Sequence, residues 1–349
     1  MTTLADITKR SSEWLRGIGP MHDVVISSRV RLARNIAGAP FLPRCNPNQQ
    51  VELLHSLRDK FLPAGLARDM FFVDIALASE LDRQLLVERH LISRQHAEDD
   101  HPRGVIISGD ETISLMINEE DHIRLQVLRS GMQLHEAFNE ITRIDNLLEE
   151  QVDFAFSEKL GYLTACPTNV GTGLRVSVML HLPALRLTKE IEKAFRAARD
   201  MKLAVRGLYG EGTEAMGDFF QISNQITLGK SEEQIVQEFL AIVVPEILNY
   251  ERQARAALLK TSKLEVDDKV FRSLALLRSA RKISSQETMA RLSMVRLGVN
   301  LERIKDVDLK TINELFLLCQ PAHLQKIHGK EMSPDQRAEL RATMVGQRL

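Results

Sequence analysis

Residues 104–117 read GVIISGDETISLMI, in which two short apolar runs flank the turn-forming pair Gly109-Asp110. This pattern predicts a β-hairpin. Apolar residues then alternate with polar ones over residues 123–127, which indicates a further antiparallel strand. The acidic pair Glu119-Glu120 is therefore expected in a loop that joins two antiparallel strands.

The flanking sequence extends this sheet and supplies helices to cover it. Strands are predicted at residues 24–26 and, from alternating apolar residues, at 174–182. Helical spacing predicts amphipathic helices at 49–61, with Val51 among the core residues, and at 134–152. We therefore expect an α+β fold, with a large antiparallel sheet flanked by helices.

The last part of the chain has only helical pattern. Ser284 and Glu287 form a capping box, and Asp308 precedes a helix with one apolar face. We expect two domains, an α+β domain at residues 1–255 and a small all-α helical domain at residues 256–349.

Composition narrows the classes of partner. The 349 residues carry 46 Lys and Arg against 47 Asp and Glu, so the net charge of -1 gives no overall field for nucleic acid. The three cysteines form no C-x-x-C pair and are odd in number, which favours a reducing cytoplasm over a disulfide framework. No apolar run approaches the roughly 20 residues of a membrane span, and no signal segment is present. We expect a cytoplasmic chain without direct nucleic-acid binding, export or membrane insertion.

Four separated segments bring arginine, carboxylate or glycine to predicted strands and loops. They are SSRVR at 27–31, NEEDHIR at 118–124, CPTNVGTGLR at 166–175 and RGLYGE at 206–211. The arginines of the first segment alternate on a strand, so both face one side, where guanidinium groups could grip phosphate oxygens. A solvated strand face is the alternative for that segment alone. Because the other segments add arginines without matching carboxylates, we expect a polyphosphate ligand, although no P-loop motif occurs.

Carboxylates beside an arginine cluster fit a cationic second reactant. Glu119, Glu120 and Glu211 could bind a guanidinium, which is a poor nucleophile until it is oriented and loses a proton. The sequence leaves two alternatives for each of two further features. Gly171-Thr172-Gly173 is either a phosphate-binding nest or a plain turn, and Cys166 is either a reactive thiolate or a small buried hydrophobe.

Together these segments resemble the phosphagen kinases, the ATP:guanidino phosphotransferases. The family signatures match CPTNVGT at 166–172, NEEDH at 118–122 and SSRVR at 27–31. The resemblance covers residues 20 to 250, and it implies the family's fold, with ATP as phosphate donor. Within the family the chain looks most like the bacterial protein-arginine kinases.

Three features carry that closer resemblance. The first motif already begins at Ser27, so we expect the helical N-terminal domain of the small-molecule enzymes to be missing. Tyr209 and Gly212 stand where those enzymes carry arginine and histidine. A helical C-terminal domain follows the catalytic one.

The resemblance also implies site residues by position. Glu120 and Glu211 would hold and deprotonate the acceptor, and Cys166 would be the family's reactive cysteine and an oxidative off-switch. Mg²⁺ would be held mainly through the phosphates, without a metal site made by the protein. The residues assigned to ATP, with His90 against the adenine, are Ser27, Ser28, Arg29, Val30, Arg31, His90, Arg124, Arg175, Val176, Ser177, Val178, Met179, Arg206, Gly207, Leu208, Tyr209, Gly210 and Glu211.

A C-terminal motif, R-D-x-x-R-A, binds phosphoarginine in the protein-arginine kinases and supports allosteric control and assembly. The matching residues here are Arg337, Ala338, Arg341 and Ala342, with Ala338 in place of the aspartate. An aspartate could orient an arginine or meet the guanidinium of the ligand, so its loss is expected to weaken this pocket.

The function implied by the resemblance is Mg-ATP-dependent phosphorylation of exposed arginine side chains in proteins. It further implies marking of these proteins for a Clp-type unfoldase and protease, inactivation of a stress-response transcriptional repressor, a zinc-binding activator subunit and a homodimer. Two alternatives stay open. One is a kinase for a small free guanidine such as arginine, and the other is a non-catalytic adaptor that reads phosphoarginine through Arg337 and Arg341.

Overall fold

An eight-stranded antiparallel sheet forms the centre of the computed structural model, which describes residues 3–8, 10–208 and 216–349. The strand order is β2-β3-β4-β5-β1-β8-β10-β9. A separate hairpin consists of β6 and β7. The strands are β1 (Val25–Arg34), β2 (Phe71–Asp74), β3 (Gly104–Ile107), β4 (Ile113–Ile117), β5 (Ile123–Ser130), β6 (Phe156–Ser157), β7 (Gly161–Tyr162), β8 (Leu174–His181), β9 (Leu203–Arg206) and β10 (Phe219–Asn224).

Helices flank this sheet and make up the C-terminal part of the chain. They are α1 (Leu4–Thr8), α2 (Pro47–Phe61), α3 (Glu80–Glu88), α4 (Arg94–Glu98), α5 (Leu134–Glu149), α6 (Pro183–Leu187), α7 (Ile191–Asp200), α8 (Glu232–Val243), α9 (Asn249–Thr261), α10 (Lys263–Ser279), α11 (Ser285–Asn300), α12 (Leu309–Leu318), α13 (Pro321–His328) and α14 (Pro334–Arg348). Short 3₁₀ turns lie at Glu13–Leu15, Leu42–Arg44, Pro167–Asn169 and Met216–Asp218, and a π-helical turn lies at Val244–Leu248. The predicted fold class is confirmed.

The main core lies on one face of the sheet, and a smaller apolar cluster covers the strands β3 and β4 on the other face. Val30 and Leu32 of β1 are buried in the main core with Val176 of β8 and with Ile141 and Ile144 of α5. Strand residues point alternately to the two faces, so burying these positions leaves the odd-numbered residues of β1 on the other face. The candidate site is on that second face.

The hairpin predicted around Gly109-Asp110 is confirmed, with β3 and β4 as its strands. The Glu119-Glu120 pair lies in the loop between β4 and β5, as expected. The strand predicted at residues 24–26 and the strand predicted for Arg29 and Arg31 are one strand, because β1 runs without a break from Val25 to Arg34. The assignment of Val51 to the core was wrong, since this residue of α2 is 38% exposed.

The C-terminal part is helical from α9 onward. The side chain of Ser284 accepts from the amide of Glu287 at 3.1 Å, and Asp308 accepts from the amide of Thr311 at 2.6 Å, so both residues cap their helices. The predicted capping box forms only in this half, because the carboxylate of Glu287 instead lies 3.6 Å from Arg291. α9 continues across residue 255, so the division at residues 255/256 falls within a helix and remains a proposal. Within the described residues, no helix is both long and apolar enough to cross a membrane.

Candidate active site

Five arginines share the face of the sheet opposite the core. In β1, Arg29 and Arg31 point to the same side, and Arg31 lies directly opposite Arg175 of β8. Arg124 of β5 lies opposite Ala33, which has the same orientation as Arg31. Arg206, at the end of β9, pairs with Gln221 of β10, which in turn lies opposite Met179 of β8. We call this surface, defined by Arg29, Arg31, Arg124, Arg175 and Arg206, the arginine face.

The charges on this face repel one another. Burial lowers the pKa of Arg29 to about 10, and Arg124, Arg175 and Arg206 contribute to the shift. Burial and the neighbouring arginines also lower the pKa of Arg31. Among the described residues, no group accepts a hydrogen bond from Nε or Nη2 of Arg31, although both atoms are buried. A polyanion would supply the missing acceptors and the missing negative charge, so the residues present fit the phosphates of ATP.

Two of these arginines are held in place by other side chains. Nη2 of Arg29 donates to Oε1 of Gln221 at 2.8 Å. Arg124 pairs with the buried carboxylate of Glu119, which also accepts from the hydroxyl of Ser93 at 2.5 Å. Burial alone would raise the pKa of Glu119, but Arg124 and Ser93 lower it to about 2. Glu119 is therefore ionised and serves to position Arg124.

Glu120, the next residue, is half-buried at the edge of the arginine face. Its amide donates to Oε2 of Glu119 at 3.2 Å, which fixes its backbone. Its charge acts on Arg124: despite burial, Glu119 and Glu120 raise the pKa of that arginine. Glu120 thus places a carboxylate beside the cluster of cations, where a second cationic group could bind.

Asp121 and His122, at the end of the NEEDH segment, form hydrogen bonds with neighbouring loops of the site. Asp121 accepts from Nδ2 of Asn35 and from the amide of Ala165, both at 2.6 Å. His122 accepts from the amide of Ile36 at 3.1 Å through Nδ1. Because Ala165 immediately precedes Cys166, Asp121 holds the cysteine loop against the loop that carries Glu120.

Cys166 is half-exposed, with Sγ 3.0 Å from Oγ1 of Thr168, so it is not the small buried hydrophobe of one alternative. The glycine loop after it is a turn made by protein contacts. The amides of Gly171 and Thr172 donate to Tyr162 O at 3.3 Å and Thr227 O at 2.9 Å. A Cβ at Gly171, whose φ is 113°, would lie 2.3 Å from Thr227 O, so close packing requires this glycine.

His90 and Trp14 form one end of the site. Their ring centroids are 4.4 Å apart in an edge-to-face arrangement. Burial, with Arg29 and Arg94, lowers the pKa of His90 to about 3, so the ring is neutral. A small recess at this end is lined by Trp14, Ser27, Arg29, His90, Ser177 and Gln221. Leu128 and Met179 complete its walls, so its lining is of the apolar and aromatic kind that suits a nucleotide base, but its volume of about 10 Å³ is too small for one as it stands.

Several residues assigned to ATP have side chains away from this face. The hydroxyl of Ser28 donates to Gly131 O at 2.8 Å, and its main chain lies opposite Val178 in the sheet. Val30, Val176, Val178 and Leu208 are in the core. Only main-chain groups of these residues are left for a nucleotide, and Gly207 has no side chain. Tyr209, Gly210 and Glu211 lie outside the described residues.

The predicted phosphoarginine pocket lies on α14. Arg341 is buried, and it donates to Cys319 O at 2.8 Å and to Ile283 O at 3.0 Å. Arg337 is half-buried and donates to Met332 O at 2.7 Å. Ala338 and Ala342 are also buried. Arg341 therefore connects helices here, and phosphoarginine binding at this motif stays a prediction.

Two residues of the site were missed by sequence reasoning. Gln221 holds Arg29, and the alternation of Gln221, Ser223 and apolar residues in residues 219–224 could have shown that both face the same side as the arginines. Trp14 precedes every motif by more than ten residues, so no local pattern connects it to His90.

Known proteins share this architecture. Residues 63–254 match the ATP:guanido phosphotransferase C-terminal catalytic domain, and residues 263–349 match the protein-arginine kinase McsB C-terminal domain. The protein-arginine kinases of Halothermothrix orenii and Symbiobacterium thermophilum are 48% and 47% identical to the chain, each over 98% of both lengths. The crystal structure of lombricine kinase is 27% identical, with a TM-score of 0.59 over 72% of this chain and 71% of that one. The chain therefore belongs to the ATP:guanido phosphotransferase family, whose members are enzymes that use ATP.

Proposed function

We propose that this enzyme transfers the γ-phosphoryl group of ATP to arginine side chains in proteins. The observation that carries the proposal is a pair of buried nitrogens on Arg31 that have no hydrogen-bond partner among the described residues. Arg31 is at the centre of an arginine face that has the carboxylate of Glu120 at its edge. That combination suits a polyphosphate donor and a guanidinium acceptor. The full-length relatives named protein-arginine kinase support a protein as the carrier of that guanidinium.

On the donor side, the arginine face holds the phosphates, and the base lies beside His90, where the recess of about 10 Å³ has to widen to admit it. Arg29 is oriented by Gln221 and Arg124 by Glu119, so these guanidinium groups are in place before ATP arrives. Charge neutralisation on the transferring group also comes from Mg²⁺, which we expect to be held mainly through the phosphates.

On the acceptor side, Glu120 orients the guanidinium and accepts its proton. The N–P bond forms as the bond between the γ-phosphorus and the bridging oxygen breaks, and ADP leaves with that oxygen. Glu211 is the proposed second carboxylate. Cys166 is the proposed third group on this side, and the bond between Asp121 and the amide of Ala165 supports this by holding its loop near the loop of Glu120.

The wider role is also a proposal, which rests on the family resemblance. Phosphorylated proteins would be marked for a Clp-type unfoldase and protease in the cytoplasm, and a stress-response repressor would be inactivated. A zinc-binding activator subunit, a homodimer and phosphoarginine-dependent allostery through Arg337 complete this proposal.

Label transfer from γ-labelled Mg-ATP tests the acceptor class. An unfolded arginine-rich protein is offered in one reaction and free arginine in another, and the label is then exposed to acid, which cleaves P–N bonds. We expect acid-labile label on the protein and little on free arginine. Equal transfer to free arginine would instead support a small-guanidine kinase.

A further inference from the structure

Three consecutive residues connect the C-terminal helices to the candidate nucleotide site. Glu88 ends α3, and Arg89 and His90 follow it. The first two contact α13, in the helical C-terminal part of the chain, whereas the third lines the recess beside Arg29. Arg89, which contacts α13, and His90, which lines the recess, are therefore joined by one peptide bond.

The carboxylate of Glu88 caps the start of α13. It accepts from the amide of Ala322 at 2.8 Å and from the amide of His323 at 3.0 Å. These amides are at the positive end of the helix, where a carboxylate is stabilised. Oε2 of Glu88 also lies 2.6 Å from Nδ1 of His323. Both residues are buried, so this contact is shielded from water.

The ring of His323 joins Glu88 to Arg89. Its Nε2 lies 3.1 Å from Nη1 of Arg89. Because an arginine has only donors, Nε2 must accept and Nδ1 must carry the proton that is donated to Glu88. Burial lowers the pKa of His323, which agrees with this neutral form. The same guanidinium bonds to Glu111 and to Arg10 O, so Arg89 is fixed on every side.

His90 is held between this network and the sheet. Its carbonyl accepts from Nε2 of Gln126 at 2.7 Å, and Gln126 lies opposite Arg31 in the pairing of β5 with β1. Its φ of 59° is in the left-handed region, and its ring packs against Trp14. A shift of Arg89 would therefore move the His90 ring relative to the arginine face.

We propose that His323 is a positioning residue for nucleotide binding: through Arg89 it fixes His90 and Trp14 beside the arginine face, so the C-terminal helices set the affinity for ATP. The inference rests on the proposed placement of ATP at that face. It gives the helical part of the chain a defined route to the catalytic part, which a ligand or partner of those helices would use.

Two substitutions at one position separate this role from a structural one. His323→Asn keeps a donor near the position of Nδ1 for Glu88 but removes the acceptor of Arg89, whereas His323→Gln keeps an acceptor near the position of Nε2. Each loses one buried hydrogen bond, so their stabilities should be similar. Lys326→Ala is the matched control, because it breaks the ion pair with Asp82 between the same two helices without touching residues 88–90.

The only tryptophan of the chain, Trp14, reports on the site directly. ADP is titrated into the full-length protein below the melting temperature of the less stable variant, and tryptophan fluorescence gives Kd. The KM for ATP and kcat are measured in parallel. We expect His323→Asn to raise Kd and KM about tenfold with kcat changed less than about twofold. His323→Gln and Lys326→Ala should stay close to the unsubstituted protein.

Equal Kd values for the Asn and Gln variants would overturn the coupling while leaving the nucleotide placement intact. A Trp14 fluorescence that does not respond to ADP in the unsubstituted enzyme, at concentrations that inhibit transfer, would overturn the placement itself. The failure of the inference and the failure of the proposed function are therefore distinguishable.

Discussion

Arg31 of β1 lies directly opposite Arg175 of β8, so the centre of the sheet carries two adjacent cations on the face away from the core. Two nitrogens of Arg31 are buried without a partner in the described part of the chain. Folding alone gives no reason for this arrangement, because like charges and unmade hydrogen bonds both destabilise. A bound polyanion removes both costs.

Replacing Arg31 by an uncharged residue of similar length separates binding from folding. Arg31→Met should lower ADP affinity about tenfold to a hundredfold, because charge-assisted hydrogen bonds are lost. The ligand-free protein should be as stable as before, or more stable. Calorimetric titration and thermal melting measure the two effects. The control is Arg34→Met in the same strand, which leaves Asp145 without its partner at 2.7 Å and should cost about 3 kcal/mol of stability. A strongly destabilised Arg31→Met protein would contradict this interpretation.

The two neighbouring glutamates should behave differently. Glu120→Gln should reduce kcat about a hundredfold to ten-thousandfold with little effect on ADP affinity, because it removes the proposed proton acceptor. Glu119→Gln should weaken nucleotide binding and lower the melting temperature, because it removes the charge that holds Arg124. Steady-state kinetics gives kcat for both variants, and ADP titration gives their affinity for the nucleotide. Near-normal turnover by Glu120→Gln would remove Glu120 as the base.

Oxidation should act at one cysteine. Cys166 is half-exposed in a site loop, whereas Cys319 is buried with its pKa raised by burial to about 12. Hydrogen peroxide should inactivate the enzyme reversibly, and Cys166→Ala should abolish that sensitivity in whatever activity remains. Cys45→Ala is the control, because Cys45 is the other half-buried thiol. Inactivation that persists in the Cys166→Ala protein would place the oxidative effect elsewhere.

Acid should destabilise the fold through buried histidines. Burial lowers the pKa of His96 to about 4, below the value of about 6.5 expected in the unfolded chain. Between these values the unfolded state binds more protons, so stability falls as pH decreases from about 6.5 toward 4. At pH 5 His96 should account for about 2 kcal/mol of loss relative to pH 7. His96→Gln keeps a donor for Gly104 O, so its urea midpoint should decline less between pH 7 and 5. If the urea midpoints of the two proteins declined by the same amount, His96 would not be a source of the acid destabilisation.

Local pattern was enough to predict the hairpin, the strand of Arg29 and Arg31, and their common face, because these depend on neighbouring residues. Pairing partners were not predictable. β1 lies between β5 and β8, whose residues are about 100 and 150 positions away in the chain, and alternation shows the face of a strand but not its neighbours. The contact of Glu88 with His323 and the role of Gln221 could not be predicted for the same reason, because each joins residues that are far apart in the chain.

The Gly171–Gly173 loop shows a second limit. From sequence, a phosphate nest and a plain turn were equally consistent, since glycine permits both conformations. The contact that decided the matter is with Thr227, a residue outside the motif. The prediction that Val51 is a core residue was wrong for a related reason. Helical spacing identifies the apolar face of a helix, but the elements packed against the helix determine how much of that face is buried.

The most direct test of the central claim is to identify the phosphorylated side chain by mass spectrometry at neutral pH. An unfolded substrate protein and the same protein with every arginine replaced by lysine are incubated with enzyme and Mg-ATP, with Glu120→Gln enzyme as the inactive control. Phosphate should be found on arginine in the first protein and be absent from the second. Phosphate on lysine, or equal labelling of the two proteins, would contradict the assignment of a protein-arginine kinase.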